Sequence, residues 1–406
     1  MNKVYIVAAC RTPVGRFLGA LKTVSAVELA ALTVRHNLQQ AGIDPAWIDP
    51  AWIDEVICGS VLSAGQGMGP ARQVALRAGI PVQKPAYTLN MICGSGMKSI
   101  TEGAIHIQSG YADLVVAGGM ENMSQAPFLL RGEIRGGVKF GAFSSEDLIQ
   151  SDGLTDPLLH IPMGETAEAI AAHEQISRAE QDQYALDSHQ KASAASRAGH
   201  FAEEIVPVTV SAKRGVSVVR EDEQIRHDLS ADQLAALKPA FRRDGSVTAG
   251  NASGLNDGAA SVILASARAV AQYGLRPLAE IVSFGEGGVD PAMMGLGPLP
   301  AMTCALRRGR FQLSDMARLE INEAFAAQVL GVVKGLAREH QMTAEEIAAR
   351  LNVNGGAIAL GHPLGSSGTR IVVSLLHALR RENKPTGLAS LCIGGGMGIA
   401  LIVKTI

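Results

Sequence analysis

The sequence predicts an α/β fold in which helices pack on mainly parallel sheets. Short apolar runs rich in β-branched residues alternate with Ala-rich stretches of helical periodicity, as in successive βαβ units. Hydrophobic residues make up 47% of the 406 residues, aromatic residues only 4%, and glycines number 45. A core of Ala, Val, Ile and Leu is typical of closely packed helices on buried sheets.

Each predicted element follows from hydrophobic periodicity and from the turn residues that flank it. The predicted strands are short apolar runs, at 4–9, 55–60, 114–117, 261–265, 388–393 and 399–404. The predicted helices are longer and often Ala-rich, at 26–41, 70–78, 97–109, 166–173, 178–199, 324–339 and 368–381. The segment 122–250 carries more charge and few strand-like runs, so we interpret it as an insertion in the first half of the fold.

An internal repeat predicts that the chain contains two similar halves. The first copy is CGSGMKSI at 93–100, followed by a helix and a strand that ends in AGGMENM at 117–123. The second copy is GHPLGSSGTRIV at 361–372, followed by a helix and a strand that ends in GGGMGIA at 394–400. Two copies of one unit predict pseudo-twofold halves packed face to face. Their loops would then meet at one shared site.

Composition and charge argue against several classes of function. A net charge of −2 gives the chain no excess positive charge with which to bind nucleic acid. The five cysteines are widely spaced, without a Cys-x-x-Cys pair, which argues against a disulfide framework or a zinc site and for a reducing compartment. The N-terminus reads as a buried strand rather than a signal peptide, and no apolar run reaches the roughly 18–20 residues that span a bilayer. We expect a soluble, cytoplasmic protein with no membrane partner.

Cys93 is the first candidate for chemistry. It lies in NMICGSGMKSI, where small residues follow at once and a helical pattern begins after them. A cysteine at a helix N-terminus faces the positive end of the helix dipole and free N–H groups, which lower its pKa and favour the thiolate. The alternative is a buried structural cysteine, the commonest fate of a free thiol.

Three further residues stand at strand–loop–helix junctions beside glycines. His362, in ALGHPLGSSG, could accept a thiol proton and return it, or it could be a hydrogen-bonded polar residue with no further role. Cys392, in LCIGGGMG, precedes a Gly-rich turn whose N–H groups could donate to an oxyanion, or it could be a packed strand cysteine. Asn322, in EINEAFA, could be a helix N-cap.

Together these residues match one chemistry, the joining of two thioesters. That reaction needs a nucleophile to hold one acyl group and a base to remove the α-proton of the second thioester. It also needs two places to stabilise a negative oxygen, one for the enolate and one for the tetrahedral intermediate.

The sequence resembles the thiolase family, and within it the biosynthetic acetoacetyl-CoA members, over essentially the whole chain. The resemblance is carried by VYIVAACRTPVGRF, TAGNASGLNDGAA, NEAFA, GHPLGSSG and LCIGGGMG, in that order. It implies a five-layer αβαβα fold made of two pseudo-twofold halves plus an inserted loop domain. The implied N-terminal half spans 1–121 and 251–270, the loop domain 122–250, and the C-terminal half 271–406.

The resemblance also implies a role for each candidate. Cys93 would be the acylated nucleophile, activated by His362, and Cys392 would exchange the α-proton of the substrate. His362 and a water held by Asn322 would form one oxyanion hole, and the backbone N–H groups of Cys93 and Gly394 would form the second. No metal or prosthetic group is expected, because Cys93 itself carries the acyl group.

For coenzyme A, the resemblance points to the inserted segment and the Gly/Ser loop after it. Arg226 matches a position near the adenine, Ser253 one that bonds the pantetheine arm, and Leu154 and Met163 positions that line its tunnel. Planar Arg suits stacking and phosphate contacts. One departure concerns Pro162, which replaces a His that contacts pantetheine in biosynthetic members, so the preferred acyl chain length stays open.

The resulting prediction is reversible condensation of two acetyl-CoA to acetoacetyl-CoA and CoA by a ping-pong mechanism. The alternatives are a degradative thiolase for longer 3-oxoacyl-CoA or 3-oxoadipyl-CoA, a ketoacyl synthase, a thioester hydrolase and a non-catalytic CoA-binding scaffold. The resemblance and the apolar sheets also predict a homodimer or homotetramer, with residues near 125–145 as the candidate tetramer contact.

Overall fold

The computed structural model describes residues 2–43, 52–212 and 215–406. Its strands are β1 Val4–Arg11, β2 Gly15–Arg16, β3 Glu55–Gly59, β4 Ala86–Leu89, β5 Leu114–Asn122, β6 Phe128–Leu129, β7 Glu146–Asp147, β8 Thr155–Asp156, β9 Ile161–Pro162, β10 Val208–Ala212, β11 Gly215–Val219, β12 Asn256–Ser266, β13 Ala279–Gly288, β14 Arg318–Ile321, β15 Thr386–Ile393 and β16 Met397–Thr405.

The α-helices are α1 Ala26–Gln40, α2 Pro70–Arg77, α3 Ser95–Ser109, α4 Met163–His173, α5 Arg178–Arg197, α6 Ala231–Ala235, α7 Ala267–Tyr273, α8 Pro298–Gly309, α9 Ala326–His340, α10 Ala344–Ala348, α11 Ala357–Leu360 and α12 Leu364–Arg381. A π-helical turn covers Ile149–Leu154. Short 3₁₀ turns cover Met123–Gln125, Gly132–Gly136, Pro291–Leu296 and Leu313–Asp315. Across the described ranges, no helix is both long and apolar enough to cross a membrane.

Two sheet wings and three helix layers form the body of the molecule. The first wing contains β1, β12, β5, β3 and β4, and the second wing contains β13, β16, β15 and β14. The strands run in the order β14-β15-β16-β13-β1-β12-β5-β3-β4, and the two wings join where β1 pairs with β13. Helices α3 and α12 contact strands of both wings and share one buried apolar cluster with them. A second cluster holds α1 and α2 against the first wing, and a third holds α8 and α9 against the second. This is the expected five-layer αβαβα arrangement.

Strand direction differs from the prediction of mainly parallel sheets, which is wrong. Among the strands that the structure describes, parallel pairing is confined to β3 with β4 and β5, and to β14 with β15. The central strands β1, β12, β5, β13 and β16 pair antiparallel, as do β15 and β16. A parallel pair needs a long crossover, whereas β15 returns directly as β16 through a glycine turn in which Gly395 and Gly396 have φ of +83° and +86°.

The two helices of the internal repeat begin earlier than predicted. Helix α3 starts at Ser95 and α12 at Leu364, so the Gly/Ser residues of both motifs lie within the first helical turns. Strand β5 continues to Asn122 and includes the AGGMEN sequence. Periodicity did not reveal these limits because glycine and serine carry little hydrophobic signal.

The inserted segment packs mainly on the second half of the molecule. Helices α4 and α5 contact α9, and α5 also contacts α11. The guanidinium of Arg11 on β1 is buried and bonds to two carboxylates of the segment, Glu204 Oε1 at 2.7 Å and Asp222 Oδ1 at 2.6 Å. These buried ion pairs fix the segment to the central sheet. The predicted boundaries at 122, 250 and 270 stay a prediction.

Candidate active site

The N-terminal ends of α3 and α12 meet backbone to backbone. A Cβ added at Gly96 would lie 2.8 Å from the carbonyl oxygen of Gly365, and one added at Gly368 would lie 2.4 Å from the amide nitrogen of Met97. The Thr369 hydroxyl also donates to the Gly96 carbonyl at 2.8 Å. Only glycine permits so close an approach. The crossing therefore brings together the two loops that precede these helices.

A mostly apolar cleft of about 890 Å³ lies in front of this crossing. Seven predicted site residues line it: Cys93, Leu154, Met163, Ser253, His362, Cys392 and Gly394. The rest of its wall is largely apolar and includes Ile92, Met123, Pro162, Phe241, Leu255, Met294, Phe325 and Leu364. A concave apolar site with a few polar groups is the usual form of a small-molecule binding site.

A strained turn presents Cys93 to the cleft. Ile92, immediately before it, has φ of +47°, a conformation that β-branched residues rarely adopt. Hydrogen bonds hold the turn: the Ile92 amide donates to Asn90 Oδ1 at 2.9 Å, and Ser95 Oγ donates to the Ile92 carbonyl at 2.6 Å. Strain of this kind persists only where surrounding contacts enforce it. The sequence carried no signal for it.

Burial raises the pKa of the Cys93 thiol to about 11. The backbone N–H groups of Gly394 and of Cys93 itself donate to the sulfur and act in the opposite direction, but burial outweighs them. The expectation of a resting thiolate from the helix dipole is therefore wrong. Cys93 rests as a thiol, so a role as nucleophile would require a base.

His362 presents an unprotonated nitrogen to this region. The Ser367 hydroxyl donates its single proton to the Pro363 carbonyl at 2.9 Å, so it accepts from His362 Nδ1–H at 2.6 Å. The lone pair therefore resides on Nε2. Burial, together with the positive charge of Arg370, lowers the pKa of His362 to about 3. At neutral pH the imidazole is uncharged and able to accept a proton.

Asn322 lies directly behind His362 and is fully buried at the end of β14. Its Nδ2 is 3.5 Å from His362 Nε2, and its Oδ1 accepts from Arg370 Nη2 at 3.3 Å. Helix α9 begins only at Ala326, with Phe325 as its N-cap, so the helix-cap interpretation of Asn322 is wrong. The side chain instead joins the polar groups behind the cleft.

Cys392 is the penultimate residue of β15 and lines the same cleft. It is 1% exposed and packs against Met294 and Ala324. Burial raises its pKa, and the neighbouring Cys93 raises it further. The two thiols are therefore close enough to interact electrostatically. Gly394 follows in the turn that leads to β16, with its N–H directed at the sulfur of Cys93.

Family models match both halves of the chain. The model for the thiolase N-terminal domain matches residues 4–268, and that for the thiolase C-terminal domain matches residues 275–405. The chain belongs to the thiolase family. The resemblance predicted from the motifs is confirmed, and so is the fold that it implied.

Thiolases of known name and structure resemble this chain over its full length. It is 48% identical to an acetyl-CoA acetyltransferase of Cupriavidus necator over 405 residues, with 100% of both chains covered. It is 49% identical to one of Pseudomonas aeruginosa, with 99% of both chains covered. The crystal structure of the Bacillus anthracis acetyl-CoA acetyltransferase matches with a TM-score of 0.93 at 44% identity, over 100% of this chain and 99% of that one.

A second kind of thiolase matches equally well in structure. Human mitochondrial 3-ketoacyl-CoA thiolase aligns with a TM-score of 0.93 at 43% identity, over 100% of this chain and 99% of that one. The same human enzyme in complex with CoA aligns with a TM-score of 0.92. The fold therefore does not separate the biosynthetic from the degradative members.

The predicted CoA contacts of this thiolase fall into two groups. Leu154, on the π-helical turn, and Met163 and Ser253 line the cleft. Arg226 is exposed on the inserted segment and lies outside the cleft lining. Its backbone amide donates to His189 Nδ1 at 3.1 Å. Arg226 is thus separate from the reacting groups, and its contact with adenine stays a prediction.

Sequence reasoning missed Phe241 as part of the wall. Its ring lies over Gly164, where an added Cβ would be 2.1 Å from Phe241 Cε2, and it meets the ring of Phe325 edge-on at 6.2 Å. Phe241 occurs in a charged stretch with no periodic pattern, so no local signal marked it. Pro162, the departure from biosynthetic members, lies in the same wall.

Proposed function

We propose that this thiolase catalyses the reversible condensation of two acetyl-CoA to acetoacetyl-CoA and CoA through an acyl-Cys93 intermediate. The observation that carries the proposal is the convergence of Cys93, His362 and Cys392 on one apolar cleft, with Asn322 behind His362. The full-length relatives named acetyl-CoA acetyltransferase support the choice of substrate. Coenzyme A enters as part of the substrate rather than as a resident cofactor.

The first half-reaction forms the acyl-enzyme. The Cys93 proton passes to His362 Nε2, and the sulfur attacks the thioester carbonyl of acetyl-CoA. The backbone N–H groups of Cys93 and Gly394 stabilise the oxyanion of the tetrahedral intermediate. When the C–S bond to CoA breaks, Cys392 gives its proton to the departing CoA thiolate and becomes a thiolate, and His362 keeps the proton of Cys93 on Nε2. A base is required because the thiol has a raised pKa.

The second half-reaction forms the carbon–carbon bond. A second acetyl-CoA binds with its thioester oxygen near the protonated Nε2 of His362 and a water held by Asn322, and both donate hydrogen bonds that stabilise the enolate. The Cys392 thiolate takes the α-proton, the carbanion attacks the acetyl group on Cys93, and the C–S bond to Cys93 breaks as His362 returns its proton to the Cys93 sulfur. Burial suits Cys392 to this role, because a thiolate with a raised pKa is a strong base toward a weakly acidic C–H bond. Cleavage runs through the same steps in reverse.

The remainder of the cleft is proposed to hold the pantetheine arm. Ser253 offers a hydroxyl for it, Leu154 and Met163 supply apolar walls, and Arg226 would contact the adenine end. The first three residues share the cleft with the reacting groups, which supports a single channel leading to Cys93.

The second candidate is a degradative thiolase that cleaves longer 3-oxoacyl-CoA or 3-oxoadipyl-CoA. It is favoured by the equal structural similarity to human mitochondrial 3-ketoacyl-CoA thiolase and by Pro162 in the cleft wall. Both candidates use the same four polar residues, so chain length is decided by the apolar wall.

One assay tests both candidates. We would measure CoA-dependent cleavage of 3-oxoacyl-CoA substrates of about four to sixteen carbons, and of 3-oxoadipyl-CoA, with wild type and Cys392→Ser. We expect a sharp preference for acetoacetyl-CoA and a loss of at least about a hundredfold in the variant, as for removal of a general acid–base group. Equal or better cleavage of longer chains would assign the degradative function. Absence of cleavage with every substrate would favour a non-catalytic CoA-binding scaffold.

We also propose self-association through the segment near residues 125–145. Five of its apolar side chains are exposed by 45% or more: Phe128, Leu130, Val138, Phe140 and Phe143. So large an exposed apolar patch is typical of a protein–protein contact. A homotetramer formed from dimers would bury it. All five cysteines are free thiols, which agrees with a reducing cytoplasmic location.

Light scattering during size-exclusion chromatography tests the contact. We expect Phe140→Asp, at a fully exposed position, to reduce the measured mass from that of a tetramer to that of a dimer. The reason is that a desolvated carboxylate opposes burial of the patch. Val216→Asp, at another exposed apolar position outside the patch, is the matched control and should leave the mass unchanged. An unchanged mass for Phe140→Asp would exclude this segment as the contact.

A further inference from the structure

Arg370 is a buried arginine whose surroundings are unusual for an ion pair. It lies within α12, is 1% exposed, and has Glu320 as its nearest carboxylate, with Nη1 4.0 Å from Oε2. Its Nε and Nη1 have no hydrogen-bond partner in the described parts of the chain. Burying a guanidinium without bidentate pairing is costly. The ion pair by itself therefore gives a poor account of why an arginine occupies this position.

Among the described residues, Arg370 makes a hydrogen bond only to the side chain of Asn322, from Nη2 to Oδ1 at 3.3 Å. A guanidinium donates and never accepts, so it is compatible with only one orientation of a facing amide. With Oδ1 turned toward Arg370, the Nδ2 group of Asn322 must turn toward His362 Nε2, 3.5 Å away.

The hydrogen bond at Nδ1 of His362 determines which orientation of the Asn322 amide is favourable. Because Nδ1–H donates to Ser367 Oγ, Nε2 carries a lone pair. A flipped amide would direct Oδ1 at that lone pair, and two acceptors would face each other in a buried site. The polar groups thus form a line, Ser367 to His362 to Asn322 to Arg370, in which each donor meets an acceptor.

We propose that Arg370 is a positioning residue that holds the Asn322 amide with Nδ2 toward His362. It acts through Asn322 and does not touch the substrate. The inference rests on the proposed function, in which Asn322 holds the water of one oxyanion hole. The positive charge of Arg370 also acts on His362, and Arg370→Lys keeps that charge while it changes the hydrogen bond to Asn322.

Two variants separate the hydrogen bond from the charge. Arg370→Lys keeps a positive charge near Glu320, but its single ammonium nitrogen stops short of the position of Nη2. Arg370→Gln removes the charge and offers both a donor and an acceptor, so it no longer selects one amide orientation. Ser374→Ala is the matched control, because Ser374 lies one turn further along α12 and donates to Glu204 at 3.3 Å, away from Asn322.

The experiment measures kcat and KM for CoA-dependent cleavage of acetoacetyl-CoA in the wild-type and Asn322→Ala backgrounds. We expect Arg370→Lys to lower kcat by about tenfold or more in the wild-type background, with KM changed by less than about twofold. In the Asn322→Ala background the same substitution should lower kcat by less than about twofold, because the residue it acts through is gone. Ser374→Ala should leave kcat unchanged.

Equal losses of kcat in the two backgrounds would overturn the proposal, as would an unchanged kcat in both. If Arg370→Gln folds, the same comparison applies to it, and if it does not, Arg370→Lys decides the matter alone. Wild-type enzyme that cleaves no 3-oxoacyl-CoA would overturn the proposed function and this inference with it. If the wild type is active but Arg370→Lys lowers kcat by the same factor in both backgrounds, the inference is overturned and the proposed function stands.

Discussion

At the scale of single residues, burial rather than the helix dipole sets the protonation state of Cys93, the proposed nucleophile. Cys93 precedes α3 at the end where the dipole favours an anion, yet its pKa is raised to about 11. The dipole is worth on the order of 1 kcal/mol, and desolvation of a thiolate in an apolar cleft costs more. His362, with its pKa lowered to about 3, does not form an imidazolium–thiolate pair with Cys93 at rest.

This state predicts the pH dependence of Cys93 alkylation. Because only the thiolate reacts, and its fraction grows as pH rises toward the pKa, the rate with iodoacetamide should rise about tenfold per pH unit between about pH 7 and pH 10. The rate is measured by mass spectrometry of the peptide that contains Cys93. Cys304, partly exposed and distant from the cleft, reports on reagent quality and unfolding in the same digest. An alkylation rate that does not change with pH in this range would mean that Cys93 rests as a thiolate.

At the scale of elements, the crossing of α3 and α12 builds the site. The glycines of the two repeated motifs serve the contact between these helices, at Gly96, Gly365 and Gly368. The contact brings Cys93 close to His362, although they are far apart in sequence. Reaction rates depend steeply on such distances, since a misplacement of about 1 Å can cost on the order of a hundredfold in rate.

Gly368→Ala tests the importance of this contact. The added methyl group would lie 2.4 Å from the Met97 amide nitrogen, so the helices must separate. We expect the free energy of unfolding to fall by about 1–3 kcal/mol, as for other overpacked sites. We also expect kcat for cleavage to fall by at least about tenfold, as His362 moves away from Cys93.

Gly132→Ala is the control, because an added Cβ there meets nothing within 4 Å. Urea unfolding and steady-state kinetics on both variants give the two quantities. Wild-type kcat in a folded Gly368→Ala protein would show that the crossing tolerates separation.

At the scale of the whole molecule, buried ionisable groups between β14 and the central helix α12 link stability to pH. Burial raises the pKa of Glu320 from 4.5 to about 8, and Arg370 only partly opposes this effect. Between these values the folded carboxyl keeps its proton while the unfolded one has lost it. The folded state therefore binds more protons, and this contribution to stability is full below about pH 4.5 and is lost as pH rises to about 8.

Glu320→Gln should remove this dependence. Relative to the variant, the wild-type free energy of unfolding should fall by about 1.4 kcal/mol for each pH unit between about pH 5 and pH 7.5. Urea unfolding at several pH values measures the difference, with Glu345→Gln on the exposed surface of α10 as the matched control. A difference that is constant with pH would mean that Glu320 is ionised in the folded protein.

The sequence by itself determined the doubled architecture of this protein and the chemistry that is proposed for it. The motifs that contain Cys93, His362 and Cys392, and the repeated loop–helix–strand unit, are local patterns that can be read from residue types and spacing. Most predicted strands and helices also match the structure within a few residues, because hydrophobic periodicity is a local property.

Only the tertiary structure decided what depends on burial and on contacts between distant residues. It decided that the central strands pair antiparallel, that Cys93 rests as a thiol, and that Arg370 faces Asn322 from 48 positions away. It also brought Phe241 into the cleft and left Arg226 on the surface. Desolvation and hydrogen bonding arise from packing, and no short stretch of the chain contains both partners of such a contact.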